Sequence, residues 1–117
     1  MIRMLNNPFQ LLIEVITELY GDIKADVQFA PIDENEECVG HTQFPEDGSI
    51  PLITISTLIP FYATVEIFAH EIAHVIVGIE SEHNEKWEKI FNEIHQTYMK
   101  KTEQNFNEQK KEYENRI

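Results

Sequence analysis

The chain has 117 residues, 21 of them Asp or Glu against 9 Lys or Arg, and a net charge of −12. That length suits one domain with its own core, and that charge disfavours phosphate backbones and anionic membranes while attracting divalent cations. No apolar run could span a membrane, the N-terminus lacks a signal-peptide core, and a single cysteine excludes an internal disulfide, so a cytoplasmic protein is expected.

Asn7-Pro8 opens the first element, with a capping side chain followed by a residue suited to the first helical position. Phe9, Leu12, Ile13, Ile16, Leu19 and Tyr20 then recur at helical spacing until Gly21, predicting an amphipathic helix over 8–20. From Asp26 to Ile32 polar and apolar residues alternate, as in a half-buried strand. A charged turn over 33–37 leads to a second strand, 38–44, and the turn 45–49 leads to a third, 50–56, rich in β-branched residues. Pro51 suits the start of that strand or a sheet edge.

A second helix is expected from Phe61 to Val77. It is apolar on nearly every side apart from Glu66 and the segment His70-Glu71-Ile72-Ala73-His74, which predicts a buried helix. Gly78 can end it, and 79–82 form a short connection. A last helix begins near His83-Asn84, with Trp87, Ile90, Phe91, Ile94 and Tyr98 on one face. The stretch 100–117 is a polar tail, either continuing that helix or frayed. The whole, 1–117, reads as a single α+β domain.

The segment His70–His74 spells H-E-x-x-H. Residues four apart share a helix face, so both imidazoles can grip one metal ion, and Glu71 can reach a water bound to it. Two imidazoles and a carboxylate in a buried helix are costly unless paired or ligated. Catalytic zinc takes three protein ligands and keeps a fourth position for water. His83 is the expected third ligand, with Glu80, Glu82 and Glu85 as competing carboxylates. Zn2+ is therefore the expected cofactor, with Glu71 accepting the water proton and passing it to the leaving amine. His41 and His95 are lesser candidates for the cleft. Tyr62 and Tyr98 could help hold an oxyanion, but both are expected in the core. Cys38 is expected to be a buried thiol.

The run Thr64-Val65-Glu66-Ile67-Phe68-Ala69-His70-Glu71-Ile72-Ala73-His74-Val75, then His83-Asn84-Glu85-Lys86-Trp87, resembles the SprT-like and WLM-type zinc metallopeptidases. In those families a third histidine follows the H-E-x-x-H helix after a short loop, and an aromatic follows it four residues on. The resemblance covers roughly residues 9–98. It implies a minimal zincin fold: an N-terminal helix, a small three-stranded sheet, a buried H-E-x-x-H helix and a long C-terminal helix. It also implies that the strand ending at Ser56 is an edge strand beside the cleft, pairing with an extended peptide. SprT-like proteins often act on DNA-bound proteins through basic or zinc-ribbon extensions, whereas this chain has neither a cysteine cluster nor a basic patch.

The leading expectation is a zinc-dependent metallopeptidase acting on a protein or peptide substrate, with no nucleic-acid or membrane partner. The alternative is a non-catalytic, metal-stabilised protein-binding module acting through its acidic surface or its C-terminal tail, where Phe106 and Tyr113 stand seven apart.

Overall fold

In the computed structural model, which describes residues 1–33, 38–78 and 84–116, the chain runs α1 (Pro8–Tyr20), β1 (Asp26–Ala30), β2 (Gly40–Gln43), β3 (Leu52–Ser56), α2 (Phe61–Val77) and α3 (Glu85–Arg116). Both of the first two helices have the bounds their sequence patterns predict. Asn7 Oδ1 accepts from the Phe9 N–H at 3.0 Å and the Gln10 N–H at 3.4 Å, and Pro8 fills the first helical position. Leu11, Leu12, Val15 and Ile16 are the buried stripe of α1, while Ile13 stays exposed.

The strands are shorter than the alternating runs in the sequence, and their order is β1-β3-β2. β1 lies parallel to β3, with Val27 opposite Ile53 and Phe29 opposite Ile55. β2 lies antiparallel to β3, with His41 opposite Thr54 and Thr42 opposite Ile53. β3 is therefore the central strand, which corrects the expectation that it forms an edge. Its composition explains the placement: Ile53 and Ile55 are wholly buried, and a strand paired on both sides buries most when β-branched. Pro51 precedes the first ladder residue, so its missing N–H costs no sheet bond, and its carbonyl accepts from the Asp26 N–H. Ile53 and Ile55 point toward the helices. Thr54 points to the other face, where its hydroxyl accepts from Gln28 Nε2 at 3.0 Å.

α2 lies between the sheet and α3. Val65, Phe68, Ala69, Ile72 and Ala73 are buried in that position. The helix is not buried all round, contrary to what its composition predicts. Phe61 and Tyr62 are exposed, and His70 and His74 are half-buried. β2 with β3 covers one flank and α3 another, and the strip carrying Glu66, His70 and His74 stays open between them. α2 ends at Gly78, whose φ of +94° suits a residue without a Cβ and whose N–H donates to the His74 carbonyl at 2.9 Å.

Asn84 caps α3, its Oδ1 accepting from the Trp87 N–H at 3.0 Å. Ile90 and Ile94 bury against the rest of the core. α3 is fastened to α1 by Tyr20, whose hydroxyl donates to Glu93 at 2.9 Å, and by the Lys101–Glu18 ion pair. The polar stretch from Lys100 is helical to Arg116. Among the described residues no helix is long and apolar enough to cross a membrane.

Candidate functional site

His70 and His74 stand one turn apart on the open strip of α2, and their Nε2 atoms approach to 3.3 Å. The rings meet edge to face, with centroids 4.9 Å apart. Trp87, on the first turns of α3, holds this pair from the side. Its ring lies over His74 at 5.4 Å and edge-on to His70 at 4.7 Å, and its Nε1–H donates to the His70 carbonyl at 3.2 Å. Phe91 stacks on Trp87 at 5.3 Å, and His95 stacks on Phe91 at 5.7 Å. Positions 87, 91 and 95 are one turn apart, so a single face of α3 presents a ladder of rings that begins at the histidine pair. Two nitrogens facing one point on a partly open surface could share one metal ion.

Glu71, adjacent to His70 on α2, reaches β2. It is 6 % exposed, and Thr42 Oγ1 donates to its Oε2 at 2.7 Å. The short bond offsets the cost of burying a carboxylate beside the core. Thr42 can reach because β2 runs close against α2. At Gly40 a Cβ would collide with the Ile67 side chain, so only glycine permits that approach. Neither Thr42 nor Gly40 stands out in the sequence, where the second strand draws attention through His41. The strand's own alternation is the signal available: His41 and Thr42 must face opposite sides. With Thr42 on Glu71, His41 lies on the far face, opposite Thr54, and does not line the cleft.

His83, the expected third ligand, lies outside the described residues, as do Glu80 and Glu82. Glu85 is exposed on the first turn of α3. Among the described residues no three His, Cys, Asp or Glu converge on one point. His95 sits at the far end of the ring ladder rather than beside the histidine pair. Tyr98 packs against the core, whereas Tyr62 is exposed and belongs to the open side of α2. Cys38 is exposed, not buried, because it precedes β2 and has left the strand that would cover it.

An N-terminal helix, a small mixed sheet, an H-E-x-x-H helix against it and a long closing helix make up an α+β fold with the arrangement expected of a minimal zincin. The crystal structure of the metallopeptidase zymogen of Pyrococcus abyssi abylysin superposes with a TM-score of 0.54. It is 18 % identical in sequence, over 74 % of this chain and 77 % of that one. No family model matches the chain, and no curated protein sequence matches it.

Proposed function

We propose that this chain is a zinc-dependent peptidase, with His70, His74 and His83 as metal ligands and Glu71 as the general base. The observation that carries this reading is the 3.3 Å approach of the two Nε2 atoms. Two ligands each about 2.0–2.1 Å from a tetrahedral zinc stand about 3.3–3.4 Å apart. Without an ion, the same approach is a hydrogen bond between two imidazoles. When bound, zinc supplies a water acidic enough to ionise near neutral pH and polarises the scissile carbonyl. Glu71 would take the water's proton on Oε1, since Thr42 holds Oε2, and then protonate the departing amine. Trp87 would fix the rotamers of both histidines, and its indole would keep water from one side of them.

In this reading the peptide lies against β2, not β3, because β3 has both edges paired. The Ser56 N–H donates to the Val39 carbonyl, so by alternation Gly40 and Thr42 turn their backbone N–H and C=O away from β3. Those groups would receive an extended substrate, immediately beside Glu71. The SprT-like and WLM-type families remain the reading of the motif, without a DNA-linked role, which the net charge of −12 opposes.

The test is metal analysis of the purified protein together with a peptidase assay. About one zinc per chain is expected, lost in His70→Ala. Glu71→Gln should keep the zinc and lose proteolysis. Zinc-free wild-type protein would remove the metal reading, and undiminished cleavage by Glu71→Gln would remove Glu71 as the base.

A further inference from the structure

Glu66 stands one turn before His70 on the same open strip of α2, about 6 Å along the axis. It is exposed and has no ion-pair partner among the described residues. Beside it a groove of about 380 Å³ runs between α2 and α3, walled by Tyr62, Val65, Glu66, His95, Tyr98 and Met99. His95 closes the end nearer the histidine pair, stacked on Phe91, whose ring is 6.2 Å from that of His70. The groove therefore continues the proposed cleft. Its one acidic group is Glu66, and most of its wall is hydrocarbon.

We infer that this groove is a substrate subsite for a basic side chain, arginine or lysine, two or three residues from the scissile bond; the inference rests on the peptidase reading above. The distance sets the position, since an extended peptide advances about 3.3 Å per residue. The walls set the chemistry. A long aliphatic stem covers Val65 and Met99, the cation lies against the tyrosine faces, and Glu66 neutralises it. A purely apolar side chain would fill the groove but strip water from an unpaired carboxylate. An acidic one would meet Glu66 and a chain of net charge −12. Tyr62 is 75 % exposed in the structure, which suits a ring that a ligand covers.

The experiment has two readouts. A peptide mixture digested by the wild type should show Arg and Lys enriched at one position within three residues of the cut. The preference over norleucine should be roughly five- to tenfold, the range for an exposed ion pair joined to a cation–π contact. Glu66→Gln should bring the ratio to parity, and Glu66→Lys should turn the preference toward Glu. Fluorescent Arg and norleucine peptides of one sequence are then titrated into the Glu71→Gln protein, alone and with Glu66→Gln added. Tighter binding of the Arg peptide, lost with Glu66→Gln, supports the subsite whether or not the wild type cuts. If the wild type cuts nothing while that binding pattern holds, the peptidase reading fails and the subsite stands as a basic-peptide site. Equal affinity for the two peptides, absence of binding, or enrichment unchanged by Glu66→Gln overturns the inference. Circular dichroism of each Glu66 variant checks that the fold is intact, as expected for an exposed helical position.

Discussion

Glu71 and Thr42 illustrate how a buried charge is made tolerable by one neighbour. Thr42→Val keeps the shape of the side chain and removes the hydroxyl, leaving Glu71 Oε2 buried without its donor. The expected cost is about 1–3 kcal/mol in a denaturant titration, with Thr42→Ser recovering most of it. Under the proposed function, peptidase activity should fall in Thr42→Val while bound zinc is unchanged, because the proposed ligands are other residues. Trp87→Phe keeps the stacked ring and removes the Nε1–H···O=C bond to His70. About 1 kcal/mol of stability and roughly tenfold in zinc affinity are the expected losses, read by chelator competition. At this scale the sequence discloses chemistry better than environment. His70, Glu71 and His74 stand out because their spacing suggests a mechanism, and the structure brings the two imidazoles to 3.3 Å. Thr42 does not, because a threonine in a strand is common and its meaning comes from a partner 29 residues away. Tyr62 and Cys38 mislead for the same reason: residue type suggests burial, and only neighbours decide it.

Among elements, β2 is the strand on which the site depends. Gly40 lets it approach Ile67 of α2, and Thr42 two residues on then meets Glu71. Gly40→Ala should push β2 outward, destabilise the fold by about 1–3 kcal/mol and reduce activity. Adding Ile67→Ala should relieve the collision, so the double variant is expected to be more active than Gly40→Ala alone. Undiminished activity in Gly40→Ala would show that the close approach is not needed. Helix α1 is readable from period, cap and stop glycine, and α2 from its apolar run and stop glycine, because those signals are local. The order of the strands is not. A parallel β1–β3 pair with β2 on the opposite edge depends on contacts far apart in sequence, which alternation does not encode. The apolar run that reads as a strand is the same in either arrangement, so nothing in it contradicts the edge position that the family resemblance implies.

The molecule as a whole is elongated, measuring 55 × 30 × 25 Å, with a radius of gyration of 16.0 Å where about 13 Å is usual for its length. The cause is α3, whose 32 residues span about 48 Å. From Glu103 onward it buries no side chain, and Phe106 and Tyr113 stand exposed. Five of the nine Lys and Arg lie in residues 100–117 with only four of the acidic residues, so the excess of negative charge belongs to the remainder. Truncation after Thr102 preserves the Lys101–Glu18 pair and should cost no more than about 1 kcal/mol. Zinc content and peptidase activity should persist. Loss of activity in a folded truncation would favour a role for the tail. The helical tail was one of two readings the sequence allowed, since its polar composition gives no core-facing stripe to decide between helix and fraying.

That same helix contains neither glycine nor proline from Glu85 to Arg116, so it has no built-in joint. Its first turns touch the histidine pair through Trp87, and Tyr113 lies roughly 39 Å further along the axis. A small tilt at the inner end is magnified at the outer one, as with the needle of a gauge. A dye fixed at position 113 would thus report, from outside the site and without touching it, whether the histidine pair is gripped or slack.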